Sequence, residues 1–198
     1  MSALAASPAP GFADAVHDTQ QVFRRLLDAF THPGRVILLP QRLAALDALW
    51  ASSAALALML LDHSTPVHLD PVLDTEAVRD FLRFHCGAPL VEAPGEASFA
   101  LVGNAAAVDL ASFAPGDPVR PERSATVLIQ VPGFLHGQPM RLAGPGIATT
   151  TSLIVDGVEP KFWRQWRESG ALYPSGVDVV FAAPEAIAVL PRTVRAEG

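Results

Sequence analysis

Apolar residues recur three or four positions apart in several stretches of the chain, and this spacing predicts amphipathic helices. The predicted helices are Asp14–His32, Leu43–Leu61, Asp74–His85, Ala105–Phe113 and Pro160–Ser169. Pro33 and Gly34 follow the first helix, and Gly87 follows the third. Both signals predict where those helices end.

Short runs rich in β-branched residues predict strands, most of them in the second half of the chain. The predicted strands are Arg35–Leu39, Val67–Leu69, Ser98–Val102, Thr126–Val131, Met140–Ala143, Thr151–Val155, Val177–Ala182 and Ile187–Leu190. Two of them, TVLIQV and VDVVFA, are apolar at nearly every position, which is typical of strands covered on both faces. The mixture predicts an α/β fold, a three-layer αβα sandwich around a mixed sheet. We predict a single domain over residues 14–198, preceded by a loose leader of residues 1–13.

The segment Leu43–Leu61 has nearly the length and apolar character of a membrane-spanning helix. It carries one charge, Asp47, and is interrupted by Ser52 and Ser53. An aspartate near the centre of a bilayer is unfavourable, and no basic or aromatic residues flank both ends. We therefore predict a buried core helix, no membrane association and, since the first residues lack a positively charged signal, a cytoplasmic protein.

Composition narrows the possible partners. The 198 residues are 50% hydrophobic, and 20 acidic against 14 basic residues give a net charge of -6. Without a basic excess or a run of Lys and Arg, binding to a nucleic-acid backbone is not expected. The single cysteine, Cys86, excludes an internal disulfide and a cysteine-rich metal site.

The common catalytic motifs are absent: there is no GxSxG, GxxxxGK[ST], GxGxxG or HExxH sequence. Gly144-Pro145-Gly146 follows a predicted strand and forms either a plain turn or a ligand-binding turn. Gly144 and Gly146 are therefore candidate substrate contacts, although Pro145 offers no N–H to an anion.

Two other groups of residues are candidate chemical sites. Asp62, His63 and His68 lie near one turn but lack the spacing of a zinc site, so no metal is predicted. His85 and Cys86 are adjacent on a helix and do not face each other, which argues against a nucleophile–base pair. We therefore predict no catalytic residue in this chain.

Two arginines remain as candidates for substrate binding. Arg83 and Arg192 lie beside apolar segments, where a guanidinium either binds a phosphate or phosphonate or forms a structural ion pair. His85 is the candidate acid or base beside Arg83. On the last predicted helix Phe162, Trp163 and Trp166 share one face, which indicates either a buried core face or contact with a partner protein.

Seven segments, taken in order, resemble the PhnH family, the H subunit of the bacterial carbon–phosphorus lyase system. They are Asp18-Thr19-Gln20 with Phe23-Arg24-Arg25-Leu26-Leu27 and Pro33-Gly34; Leu60-Leu61-Asp62 with Thr65-Pro66-Val67; Leu82-Arg83-Phe84-His85 with Ala88-Pro89-Leu90-Val91; Ser124-Ala125-Thr126; Leu142 with Gly144-Pro145-Gly146-Ile147; Tyr173-Pro174 with Gly176-Val177-Asp178; and Leu190-Pro191-Arg192-Thr193.

The resemblance implies a fold related to that of pyridoxal-phosphate transferases, without the pyridoxal phosphate site. This agrees with an exposed position for Lys161, the only lysine. It also implies a homodimer that joins G, I and J subunits in a core complex. That complex couples a phosphonate to the ribose triphosphate of ATP before the C–P bond is cleaved.

The function implied is a required, non-catalytic subunit of that complex in phosphonate catabolism. Whether the chain takes part in catalysis is left open by the sequence. The alternative is a stand-alone enzyme that binds a phosphonate or triphosphate through Arg83, Arg192 and His85.

Overall fold

Four α-helices and nine strands make up the regular structure in a computed structural model that describes residues 9–40, 43–44 and 46–197. The helices are α1 (Ala15–Thr31), α2 (Ala51–Leu60), α3 (Glu76–His85) and α4 (Pro160–Gly170). The strands are β1 (Ile37–Leu38), β2 (Val67–Leu69), β3 (Phe99–Val102), β4 (Thr126–Gln130), β5 (Met140–Ala143), β6 (Thr151–Leu153), β7 (Asp178–Ala183), β8 (Ala186–Leu190) and β9 (Arg195–Glu197).

Six strands form the main sheet in the order β1-β8-β7-β4-β3-β2. Strands β2, β3, β4 and β7 run parallel, whereas β8 pairs with β7, and β1 with β8, in the antiparallel sense. The predicted α/β fold with a mixed sheet is thus confirmed. The two most apolar runs of the sequence form β4 and β7 at the centre of this sheet, where both faces are covered.

Successive side chains of a strand point to opposite faces, and each face of the sheet has its own core. Leu128 and Val180 face a core that is completed by α1, α2 and α3. Val127 and Val179 face a second core, which is completed by α4 and by strands of a smaller sheet. Helices therefore cover both faces of the sheet.

The smaller sheet contains three antiparallel strands in the order β6-β5-β9. The sequence predicts β5 and β6 but not β9, whose three residues alternate exposed, buried and exposed around Ala196. The sequence also does not predict that these three strands form a sheet separate from the main sheet. The predicted strand Thr151–Val155 ends earlier, at Leu153.

Local signals set the ends of α1 and α3. The side chain of Asp14 accepts a hydrogen bond from the backbone N–H of His17 and caps α1, and Thr75 caps α3 through the N–H of Val78. Gly87 has a φ of 64°, the left-handed conformation that commonly ends a helix. These boundaries agree with the sequence prediction.

The predicted helix Leu43–Leu61 is wrong in its first half, since α2 begins only at Ala51. The buried side chain of Gln130 explains the difference. Its amide oxygen accepts the N–H of Trp50 (2.8 Å), and its amide nitrogen donates to the carbonyl of Ala48 (2.9 Å). These bonds satisfy backbone groups that an earlier helix would use, so the chain enters α2 from an extended Trp50.

The predicted helix Ala105–Phe113 is also wrong. The segment instead forms two short 3₁₀ turns, Ala105–Ala107 and Leu110–Ser112. Asn104 and Asp109 each accept a hydrogen bond from the backbone N–H two residues later. Such local side-chain bonds compete with a continuous helix. Asp109 caps the second 3₁₀ turn, which begins at Leu110.

Part of the predicted loose leader packs onto the fold. Ala9 and Phe12 lie against the core beneath α1, α2 and α3, and the carbonyl of Ala9 is 2.8 Å from Nε2 of His85. Two residues of the predicted leader are therefore packed onto the fold, and its residues 1–8 lie outside the described part of the chain. Among the described residues no helix is long and apolar enough to cross a bilayer.

Candidate functional site

The five residues predicted to bind substrate do not form one site. Arg83 and His85 lie in the last turn of α3 on one face of the main sheet, whereas Gly144 follows β5 in the layer on the other face. None of the five lines the two cavities described below.

Arg83 and His85 have separate surroundings on α3. The side chain of Arg83 is 72% exposed, and its Nη1 lies 3.3 Å from Oδ1 of Asp80. The His85 ring packs against Phe81 with 4.7 Å between ring centroids, and residues 9–12 cover it. Positions two apart on a helix do not face each other, so these side chains do not converge on one ligand.

Arg192 forms the structural ion pair that was the alternative to substrate binding. Its Nη2 lies 2.6 Å from Oδ2 of Asp178, Nε donates to Oδ1 of the same carboxylate (3.3 Å), and Nη1 donates to the carbonyl of Pro121 (2.6 Å). All three guanidinium nitrogens are used within the fold. Both charged side chains are largely buried. The ion pair joins the first residue of β7 to the segment that directly follows β8.

Gly144 and Gly146 are required by close packing of the backbone. Their φ angles are 149° and 83°. A Cβ atom on Gly146 would lie 2.6 Å from the carbonyl oxygen of Thr31, and one on Gly144 would lie 2.9 Å from that of Thr193. The turn between them therefore packs against the end of α1 and against the segment that follows β8.

Phe162, Trp163 and Trp166 are core residues. They are 2%, 5% and 2% exposed, and the Trp166 indole donates a hydrogen bond to the carbonyl of Val194 (3.1 Å). Of the two roles predicted for this aromatic face, the structure shows the first, a buried core face. These three side chains leave no exposed aromatic surface for a partner protein.

A cleft lies beside β2, at the edge of the main sheet. Its cavity volume is about 500 Å³, and its charged and polar lining residues are His68, Asp74, Arg79 and Glu92. A second cavity of about 190 Å³ shares His68 and Pro71 with the first and reaches the loop after β3. Ligands of open α/β folds commonly bind at the carboxyl ends of the strands, and the cleft occupies such a position.

The buried carboxylate of Asp70 lines the second, smaller cavity. Asp70 follows β2 directly and is 8% exposed. Its Oδ2 accepts the N–H groups of Gly103 (2.9 Å) and Asn104 (3.2 Å), which follow β3, and its Oδ1 accepts that of Leu73 (3.0 Å). One side chain therefore holds the loops after two neighbouring strands in a defined arrangement.

His68 lines both cavities. Its Nδ1 lies 3.3 Å from the carbonyl of Val91, and the ring stands edge-on to Phe113 with 6.3 Å between centroids. A carbonyl oxygen only accepts hydrogen bonds, so Nδ1 is the donor in this contact. Nε2 has no hydrogen-bond partner among the described residues.

The charges of the cleft are two carboxylates and one guanidinium. Arg79 pairs with Asp74 through two bonds, of which Nη2 to Oδ2 is 2.6 Å long. The hydrogen bond from Arg79 lowers the pKa of Asp74, and the hydrogen bond from Asp74 raises the pKa of Arg79, with a smaller contribution from Glu92. Asp74 and Arg79 are therefore both ionised at neutral pH.

The remaining candidate groups show no site chemistry. Burial raises the pKa of the half-buried Cys86 thiol to about 11, which disfavours the thiolate that a nucleophile needs. Within the part of the chain that the structure describes, no three His, Cys, Asp or Glu side chains are placed to hold a metal ion.

Comparison with known proteins agrees with the segments that carry the resemblance. Residues 10–197 match the family of bacterial phosphonate metabolism proteins described as PhnH. A Rhizobium meliloti (strain 1021) protein, alpha-D-ribose 1-methylphosphonate 5-triphosphate synthase subunit PhnH, is 37% identical over 187 residues, which are 94% of each chain. A Stutzerimonas stutzeri protein, putative C-P lyase subunit protein HtxG, is 35% identical over 174 residues, 88% of this chain and 83% of the relative. Because the match covers almost the whole chain at this level of identity, the protein belongs to the PhnH family of bacterial phosphonate metabolism proteins.

Proposed function

We propose that this protein is a required, non-catalytic subunit of a carbon–phosphorus lyase core complex. The complex converts a phosphonate and ATP to a ribose 1-phosphonate 5-triphosphate before the C–P bond is cleaved. The observation that carries the proposal is the 37% identity, over 94% of both chains, to a protein named as a subunit of a ribose 1-methylphosphonate 5-triphosphate synthase. The second relative is named as a C-P lyase subunit and points to the same process.

The side chains of this structure support a role without catalysis. Arg192 is fully engaged with Asp178 and Pro121, so its guanidinium is occupied before any substrate arrives. Arg83 is paired at the surface, and His85 contacts the segment that precedes α1. The groups that a stand-alone phosphonate enzyme would use are therefore separated or already bonded.

The proposed assembly is a cytoplasmic homodimer that joins the G, I and J subunits of the core complex. We further propose that the fold is a three-layer sandwich of the kind found in pyridoxal-phosphate transferases and that the chain binds no pyridoxal phosphate. Lys161 supports the last point, because the only lysine of the sequence is exposed at the start of α4 rather than enclosed in a pocket.

Genetic complementation tests whether the subunit is required. A host strain that lacks this gene is grown with methylphosphonate as its only phosphorus source, while inorganic phosphate serves as the control medium. We expect growth on methylphosphonate only when the gene is restored, and growth on phosphate in every case. Equal growth of the deletion strain on both phosphorus sources would contradict the proposal.

A further inference from the structure

Helix α1 packs one side against the core and leaves large apolar side chains exposed beside it. Val16, Phe23 and Leu27 are 84%, 48% and 47% exposed. The residues that α1 buries are Val22, Leu26 and Ala29. Large apolar side chains grouped on a surface commonly mark a contact with another protein.

The exposed residues have the spacing of a helix–helix contact. Val16, Phe23 and Leu27 are seven and four positions apart, so they follow one line along α1. Gln20 lies on the same line, and Phe30, which packs partly against the core, continues it. These five residues, here called the α1 seam, follow each other in steps of four and three. A second helix packs along such a seam.

One flank of the α1 seam carries two opposite charges that do not pair with each other. Arg24 and Asp28 are one helical turn apart and line the same shallow depression of the surface. Oδ1 of Asp28 lies 3.0 Å from Nδ1 of His32, whereas Arg24 has no hydrogen-bond or ion-pair partner among the described residues. The Arg24 guanidinium is therefore available to a carboxylate of another molecule.

The α1 seam and its charged flank are complementary to a second copy of themselves. Two antiparallel helices related by a two-fold axis bring equal flanks together. When Phe23 lies opposite the partner's Leu27, Arg24 lies two positions, or about 3 Å along the helix axis, from the partner's Asp28. The two guanidiniums then lie between the two Asp28 carboxylates, so the four charges balance.

We propose that α1 forms the contact between two copies of this chain, with the helices antiparallel and packed along the α1 seam. The proposal gives the homodimer of the proposed function its contact surface and in that respect rests on it. The occupant is a second copy because the apolar line and the charges of its flank match themselves under one two-fold axis.

Analytical ultracentrifugation of the purified full chain over a concentration series measures the dimer. We expect Phe23→Glu to weaken dimerisation about tenfold or more, since it places a carboxylate at the centre of the apolar contact. Val119→Glu is the matched control, because Val119 is 86% exposed and lies outside α1, and its dimer should equal that of the unchanged chain. Circular dichroism establishes that both variants are folded. A monomeric unchanged chain, or a dimer that Phe23→Glu leaves intact, would overturn the proposal.

A charge exchange tests the pairing of Arg24 with the partner's Asp28. Arg24→Asp leaves only carboxylates on the shared flank, and Asp28→Arg leaves only guanidiniums, so each variant alone should dimerise weakly. Mixed together, the two variants should form a heterodimer, which native mass spectrometry resolves from either homodimer. The double variant should dimerise as the unchanged chain does. Single variants with undiminished dimers, or a mixture without preference for the heterodimer, would contradict the antiparallel contact.

Recovery of the G, I and J subunits measures the subunit role independently. A chain that dimerises through α1 but recovers no partner subunit contradicts that role and leaves the α1 contact standing. A monomeric chain that recovers its partners contradicts the dimer and its α1 contact and leaves the subunit role standing. Loss of a partner subunit from Phe23→Glu while the dimer persists would assign the α1 seam to that subunit and overturn the proposal.

Discussion

Gly146 is a residue whose identity the backbone dictates. Its φ of 83° is unfavourable for a residue with a side chain, and a Cβ atom would lie 2.6 Å from the Thr31 carbonyl oxygen. We predict that Gly146→Ala lowers the free energy of unfolding in urea by about 2 kcal/mol or more. Gly170→Ala is the control, because nothing lies within 4 Å of that added Cβ atom. Equal stability of the two variants would contradict this explanation.

The thiol of Cys86 makes the stability of the folded protein depend on pH, and the sign of this dependence follows from its pKa. Its pKa in the folded protein, about 11, lies above its ordinary value of 9.0 because the thiol is half-buried. Between these two values the unfolded chain loses the proton while the folded protein keeps it, so stability falls as the pH rises from 9 to 11. Below pH 9 this contribution is fully present.

Urea unfolding of Cys86→Ala across the same pH range checks this prediction. The variant lacks the titrating thiol, so its stability should decline less steeply from pH 9 to 11 than that of the unchanged chain. Identical slopes would show that the thiol titrates alike in the folded and unfolded states.

Residue roles are the part of the site that a single sequence predicts least well. Asp178 and Arg192 are 14 positions apart, and only the pairing of Val179 with Leu190 brings them together. Knowledge of this register would have identified the ion pair. A sequence pattern predicts the two strands but not which residues face each other across them.

At the scale of elements, the start of α2 depends on one buried amide. Gln130 bonds both the carbonyl of Ala48 and the N–H of Trp50. We predict that Gln130→Met lowers the free energy of unfolding by about 1–3 kcal/mol, since two backbone groups lose their partner. The exposed Gln138 offers a control in Gln138→Met, which should change stability little. Comparable losses in both variants would count against this role of Gln130.

Helices α1, α3 and α4 could be predicted because their signals are local: each has an apolar stripe, α1 and α3 begin with a capping side chain, and α4 begins with Pro160. The late start of α2 could not, since it depends on a side chain about 80 positions away. Strand β9 was missed because its three residues offer little pattern, and it is held by pairing with β5.

At the scale of the whole molecule, the cleft combines residues from β2, α3 and the segment after Pro89. A sequence signal for it existed: His68 and Leu69 lie at the carboxyl end of a predicted strand, where α/β folds often bind ligands. Asp74, Arg79 and Glu92 carry no such signal. Their convergence depends on how α3 and the bridge between Val67 and Leu90 pack at the sheet edge.

The subunit role predicts which substitutions the whole protein tolerates. Arg83→Ala and His85→Ala remove side chains that contact Asp80 and the carbonyl of Ala9, so under the subunit role both variants should assemble with their partners and support growth on methylphosphonate. Circular dichroism establishes that each variant is folded. Assembly without growth in either variant would favour direct substrate binding at that residue.

The most direct test of the subunit role is the composition and native mass of the complex that this chain forms. The tagged protein is co-expressed with the G, I and J subunits encoded beside it, and the eluted species is analysed by gel electrophoresis and native mass spectrometry. We predict stoichiometric recovery of all three partners in one assembly. Elution of the chain alone, as a monomer or a dimer, while the partners are present in the same lysate would contradict it.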